Sequence, residues 1–513
     1  MQEHPNVLIF CVDQMRADHM GCAGNKSIRT PSLDRLAADG VIFNRSYCNN
    51  PVCMPARATM FTCLLPRDHG VRMNGQSLRK DIPTMPGILR DSGYSTHACG
   101  KLHLTPWVPD VSPPDVYSYP ECMKYWNEGL LSEFPVPYYG FETVDFVGGH
   151  TCYAYGPYVE WLEKQGGNRG MLTESSALQP PSGAPQCYKM SLPEELHYNR
   201  FIADSAIRKI RRSQGNRENP FFIWCSFPDP HLPVAPPAPY CDMYDPGDMP
   251  PPKSGKGEID RLPSVYKQVL DGSFRPNGTL NTGVEDSHWQ EMIALTYGMV
   301  THVDTEIGRV VKALDDTGLS SDTLVIFTSD HGDMMGDHGL LWKAFYTFAG
   351  CIRTPLIVKV PGITSGHRSE DLVSQLDLLP SILDICNIRD PADSWVEKKT
   401  PFSRGAIRPL LSRPGRSWKE LLGRESTSVR PPVVIENDDL TTGFKVRSIV
   451  TKNHRLTIYP GTADGELFDI ASDPHELMNL WYDEPEIKKE LVCQLLDSYS
   501  LSTPSYPVPP WNS

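Results

Sequence analysis

Four apolar runs in this 513-residue chain each end on side chains that can bind a metal or an anion. Residues 6–12 are followed by Asp13 and Gln14, and residues 94–99 by Gly100, Lys101, Leu102 and His103. Residues 221–227 lead to Asp229, Pro230 and His231, and residues 323–328 to Ser329, Asp330, His331, Gly332 and Asp333. Asp13, Gln14 and Asp330 offer hard oxygen ligands, with His331 beside them. That donor set suits calcium, magnesium or manganese better than zinc. Lys101, His103, His231 and Lys343 are donors for an anion. A divalent cation flanked by such donors is what a sulfuryl or phosphoryl group needs. Taken singly, each residue has a plainer role, since an Asp after a strand commonly closes a turn. The coincidence at four strand ends outweighs those roles.

A second cluster is Pro51-Val52-Cys53-Met54-Pro55-Ala56-Arg57-Ala58-Thr59. Pro55 predicts a helix start, with the helix running to about Leu64 and Cys53 just ahead of it. Helix N-termini favour negative ligands and lower a thiol's pKa. A buried structural cysteine beside a helix start is the plain alternative.

Alternating strands and helices position these groups. Thr30 to Gly40 reads as a short helix, with Thr30 as cap and Gly40 as exit. Further helices are expected at 82–93, 198–213 and 288–316, and a strand at 355–359. This pattern predicts an α/β fold with a large, mostly parallel sheet flanked by helices. In such sheets ligands bind beyond the carboxyl ends of the strands, so the four clusters should meet. Residues 105–195 and 228–253 read as long Pro-rich loops. Segments 432–436, 446–451, 454–459 and 466–468, with a helix at 485–498, predict a smaller antiparallel sheet plus helix. The expected division is 1–395 and 396–513.

Composition narrows the function. The net charge of −13 argues against nonspecific nucleic-acid binding. No run is long enough for a membrane helix, and the start shows no secretory leader pattern, so a cytoplasmic location is expected. The 14 cysteines show no C-x-x-C spacing, which speaks against a structural metal or disulfide framework.

Cys53-x-Pro55-x-Arg57, continued by Thr62-Cys63-Leu64-Leu65-Pro66-Arg67-Asp68-His69-Gly70, resembles the signature of the sulfatase family, with Cys63 where glycine is usual. Gly100-Lys101-Leu102-His103, Ser329 to Gly339, and Glu466-Leu467-Phe468-Asp469 with Asp473-Pro474-His475-Glu476 resemble further family segments in order. The resemblance implies an alkaline-phosphatase-like fold and sulfate monoester hydrolysis. It also implies conversion of Cys53 to formylglycine by a separate maturation enzyme, and one divalent ion, calcium before magnesium or manganese. Asp13, Gln14, Asp330, His331 and modified Cys53 would bind the ion. Arg57 and Lys101 would hold the formylglycine, and His103 its hydroxyl. His231 and Lys343 would grip the sulfate and the bridging oxygen. The expected substrate is a small-molecule or oligosaccharide sulfate ester, a sulfated carbohydrate before an aryl sulfate. Tyr125, Trp126, Tyr138, Tyr139 and Trp161 could stack on it, though core packing is the plainer role for most. The rival readings are a phosphonate monoester or phosphodiester hydrolase of the same superfamily and an inactive sulfated-glycan-binding protein.

Overall fold

A computed structural model describes residues 4–108, 116–178, 183–215, 219–276, 282–363, 366–391, 413–423, 430–439 and 443–501. Its strands are β1 (Asn6–Val12), β2 (Val41–Phe43), β3 (Ser46–Tyr47), β4 (Ser95–Gly100), β5 (Thr143–Phe146), β6 (Phe221–Phe227) and β7 (Thr323–Ser329). They continue as β8 (Leu356–Lys359), β9 (His367–Ser369), β10 (Val373–Ser374), β11 (Val433–Asp439), β12 (Phe444–Val450), β13 (His454–Ile458) and β14 (Gly465–Asp469). Eight of them form one sheet in the order β5-β4-β6-β1-β7-β8-β2-β9. The stretch from β5 to β7 is parallel, and β8 enters antiparallel to both β7 and β2. β1 is buried along its whole length. Leu8, Phe10 and Val12 face one core, and Val7, Ile9 and Cys11 the other. That is the signature of a strand covered on both faces.

One face carries the helices Pro31–Asp39, Tyr198–Arg212 and Asp286–Asp316. Glu285 opens the last of these with a reciprocal cap: its side chain accepts from the His288 backbone, and its own N–H donates to His288 Nδ1 at 3.2 Å. The other face carries Cys53–Thr62, Met85–Asp91 and Leu378–Ile385.

Three local expectations need correction. The helix after Val52 starts at Cys53 rather than Pro55. Asn50 Oδ1 accepts the Val52 N–H (2.8 Å) and Asn74 Oδ1 the Met54 N–H (3.1 Å), while Pro55 has no N–H to orphan. Thr30 does not cap its helix through its side chain; Asp304 does so from the long helix, accepting the Ser32 and Leu33 N–H groups at 3.0 and 2.8 Å. Gly40 is not left-handed (φ −129°); a Cβ there would stand 2.5 Å from the Val358 carbonyl. Segment 105–195 also holds more structure than expected, including β5 and the helices Met123–Asn127 and Pro157–Lys164.

β11–β14 form the antiparallel C-terminal sheet, covered by the helix Pro485–Leu501. The expected 395/396 boundary lies outside the described residues. Buried Arg455 binds Glu466 (2.7 Å) and Glu476, and Glu476 also accepts the Ala349 N–H at 2.6 Å. The acidic residues of the last sequence segment are therefore framework. β11 grips the chain leading to Cys53. Asn49 Nδ2 donates to Val434 O (2.8 Å), Glu436 N to Asn49 O (2.9 Å), and Asn50 Nδ2 to Glu436 O (2.6 Å). All 14 cysteines are free thiols. Among the described residues no helix is long and apolar enough to cross a membrane.

Candidate active site

Beyond the carboxyl ends of β1, β4, β6 and β7 the four polar clusters meet around Cys53. Its Sγ lies 3.2 Å from His331 Nε2 and 3.8 Å from Asp13 Oδ1. His103 and His231 are also within hydrogen-bonding reach of it. Burial and the Asp13 carboxylate oppose ionisation of the thiol. Lys101, Lys343 and His331 outweigh them and hold it well below the usual thiol range.

Asp13, Cys53, Asp330 and His331 place one ligand atom each within 4.8 Å of one another, all buried. His331 Nδ1 donates to Gly332 O at 2.9 Å, which leaves the Nε2 lone pair facing Asp13 Oδ1 and Asp330 Oδ1, each 3.7 Å away. Burial, and then the Asp13 charge, push the Asp330 carboxyl up. Two buried carboxylates beside an imidazole form a site that a divalent cation fits; without the ion, the Asp330 charge raises the His331 pKa against burial, and a bound ion would take that proton's place. Gln14 turns its amide oxygen to Lys343 Nζ and its nitrogen to Asp333 Oδ2. Its backbone is left-handed (φ 63°), and its N–H donates to Asp330 Oδ1 at 3.0 Å. Holding a glutamine there costs on the order of 1–3 kcal/mol.

Arg57 is fully buried. It donates to Asp330 Oδ2 (2.7 Å), Lys101 O (2.9 Å) and Ser226 Oγ (3.0 Å), and its Nη2 has no partner among the described residues. The guanidinium thus fixes the carboxylate and the Lys101 backbone. Lys101 Nζ reaches Asp13 Oδ2 and lies 2.9 Å from His150 Nε2. Lys343 Nζ lies 2.7 Å from His231 Nε2, and His231 Nδ1 donates to Leu232 O at 2.6 Å. Burial, and then the Lys343 charge, lower the His231 pKa. An anion between the two would reverse that second effect.

Two functional neighbours left no sequence signal. His150 Nε2 stands 3.0 Å from Asp13 Oδ2, and its ring lies flat on His231 at 3.6 Å between centroids. Glu121 is buried and accepts the N–H groups of His103, Leu104 (2.7 Å) and Thr105 (3.1 Å), and the Tyr138 hydroxyl (2.7 Å). It holds the turn in which His103 is left-handed (φ 59°). Both residues come from the loop-rich segment without periodicity. Of the aromatic residues that could stack on a substrate but for most of which core packing was the plainer role, Tyr125 lies in a small buried cluster with Cys122 and Leu131, Tyr138 lies in the core, and Trp126, Tyr139 and Trp161 pack against it. Trp107, which the sequence did not single out, stacks on His103 at 4.1 Å.

The Sulfatase family profile matches residues 5–388. The chain belongs to the sulfatase family. Like other members of this family of sulfuric ester hydrolases, it has the alkaline-phosphatase-like fold. This sulfatase is 27% identical over 497 residues to an arylsulfatase of Clostridium perfringens, covering 93% of this chain and 90% of the relative. It is 28% identical over 509 residues to a multifunctional alkaline phosphatase superfamily protein of Trinickia caryophylli, covering 93% and 91%. Among solved structures, the phosphonate monoester hydrolase of Agrobacterium radiobacter matches with a TM-score of 0.78 and 26% identity, over 97% of this chain and 95% of that one.

Proposed function

We propose that this sulfatase hydrolyses a sulfate monoester to an alcohol and inorganic sulfate, with residue 53 acting as formylglycine made from Cys53 by a maturation enzyme. The carrying observation is the placement of Cys53 Sγ among Asp13, His331, Lys101 and Lys343 in one buried pocket. The sulfur occupies the place where an oxygen of the hydrated aldehyde would stand. A divalent ion, calcium before magnesium or manganese, would be held by Asp13, Gln14, Asp330, His331 and residue 53. When bound it would supply Lewis-acid stabilisation of the sulfuryl group.

The chain's own side chains account for the rest. Lys101 and Lys343 offset charge on the sulfuryl oxygens. A hydroxyl of residue 53 gives up its proton to Asp330 and attacks sulfur, the S–O ester bond breaks, and its electron pair leaves on the alcohol oxygen. The His231–Lys343 pair delivers a proton to that oxygen. His103 then takes the proton of the second hydroxyl, the bond from residue 53 to sulfate breaks, and the aldehyde returns. Arg57 and Glu121 hold Asp330 and the 101–105 turn during both steps. For the alcohol we favour a sugar over an aryl group, with half-buried Trp107 beside the sulfate position as its packing surface.

A second reading, phosphonate monoester or phosphodiester hydrolysis, is favoured by the shape match to the phosphonate monoester hydrolase. Rates on nitrophenyl sulfate, sulfated sugars and a phenyl phosphonate separate the two. Intact-mass spectra of enzyme from a host with the maturation system test the nucleophile. Full turnover by protein carrying only unmodified Cys53 would overturn the mechanism. The Cys53→Ser variant, which lacks the second hydroxyl, should accumulate the covalent ester.

A further inference from the structure

A second concave surface lies at the seam between the large sheet and the C-terminal sheet. It is a cleft of about 740 Å³, lined among others by Arg45, Arg353, Arg368, Glu370, Lys452 and Arg455. None of Asp13, Cys53, Lys101, His231, Asp330 and Lys343 lines it. Arg455 is neutralised by Glu466 and Glu476. The other four cations are not: among the described residues none has a carboxylate within 4.0 Å. Glu370 is the remaining acid of the lining, and it accepts from Asn44 Nδ2 at 2.5 Å.

The guanidiniums are fixed rather than dangling. Arg353 Nη2 donates to Asn44 O at 2.6 Å, and Arg368 Nη1 to Asn44 Oδ1 at 3.1 Å. Arg45, the next residue, donates through Nη2 to Thr451 O (3.3 Å) and to Lys452 O. Two guanidiniums therefore meet at Asn44, and that of the adjacent Arg45 runs to residues 451–452, each tethered to oxygens that carry no formal charge. A guanidinium has five N–H donors, so donors remain for a ligand. In a chain of net charge −13, gathering four such cations in one cleft runs against the overall balance. Guanidinium forks tethered through neutral oxygens, with Glu370 and Glu476 as the acids of the same lining, match the tetrahedral oxygens of sulfate. The cleft volume suits a short saccharide.

We infer that this cleft is a second anion site, which binds a sulfate group of a sulfated saccharide away from the place where esters are cleaved. It goes beyond the proposed hydrolysis, and its test needs no turnover. The probe is a disulfated disaccharide titrated calorimetrically into the full-length Cys53→Ala protein at low ionic strength, with inorganic sulfate as a parallel arm. Arg368 and Lys452 are exposed, so Arg368→Ser with Lys452→Ser leaves the core intact. Two binding events are expected with the disaccharide. The double variant should lose one of them or weaken it by at least about tenfold, as expected for lost charge-assisted hydrogen bonds. In the Cys53-containing enzyme the same double variant should keep its turnover of nitrophenyl sulfate. Identical isotherms with and without the two substitutions would overturn the inference while leaving the hydrolase reading standing. Binding of inorganic sulfate alone, with no response to the disaccharide, would overturn the saccharide assignment.

Discussion

Arg57→Met isolates the electrostatics of the pocket. In the wild type the guanidinium is fully buried and holds Asp330 across 2.7 Å. Methionine fills much of the stem's space but carries no charge. Asp330, already pushed up by burial and by Asp13, would be left without its tightest cation. Removing one partner of a buried ion pair costs about 3–5 kcal/mol. A metal-free Arg57→Met protein should therefore lose a large part of the few kcal/mol that separate folded from unfolded chains. A divalent cation between Asp13 and Asp330 would restore the missing charge. Bound at about 100 times its Kd, it stabilises by about 2.7 kcal/mol. Arg57 and the ion share Asp330, so the variant should gain more from calcium than the wild type does at equal concentration. The assay is urea unfolding followed by tryptophan fluorescence, in chelator and in calcium. Protein from a host lacking the maturation enzyme keeps residue 53 uniform. Equal stability of the two proteins in chelator, or an equal calcium increment, would refute the reasoning that places Asp330 between guanidinium and metal.

Other outcomes follow from the same geometry. Lys343→Ala removes the cation between Gln14 and His231 and should cut kcat by about 10²–10³-fold on a sugar sulfate. The loss should be smaller on nitrophenyl sulfate, whose leaving group needs no proton; equal losses would count against a role at the bridging oxygen. His150→Ala removes a hydrogen bond to Asp13 and the face beneath His231, with an expected drop in kcat/KM of about 10–100-fold. Unchanged kinetics would make His150 a spectator. Burial lowers the His69 pKa to about 3. It is neutral in the fold, where Nδ1 accepts the Val71 N–H at 3.1 Å and Nε2 meets Thr59 Oγ1 at 3.0 Å. Its folded value lies below the ordinary 6.5, so its contribution is complete above that pH and is lost as pH falls toward about 3. The His69→Gln variant should show a flatter stability profile over that window in denaturant titrations at stepped pH.

The strand-end logic carried much of the site, because parallel strands buried on both faces are written as unbroken apolar runs with their first polar residues at the tips. Asp13, Lys101, His231 and Asp330 were legible for that reason. Cys53 was legible through its motif, although the helix start was misplaced by two residues, since the caps that fix it, Asn50 and Asn74, act through side chains. His150 and Glu121 were not legible. Both sit in loops whose conformation is set by long-range partners, such as Glu121 reaching the N–H groups of the 103–105 turn. The aromatic residues near 125–161 take the plainer role of core packing, although a buried ring and a substrate-facing ring look alike in sequence. Arg57's grip on Asp330 was likewise hidden, as nothing in residues 53–57 names a carboxylate more than 270 residues away.

The bonds from β11 to Asn49 and Asn50 make the position of the run into Cys53 dependent on a strand 385 residues further along the chain. During synthesis, residues 5–388 emerge before the strand that pins the run into Cys53 exists. Until then, the cysteine-bearing segment lacks the three hydrogen bonds that clamp it. Pairing with β11 completes that clamp, so a strand made late fixes the position of a buried segment made early.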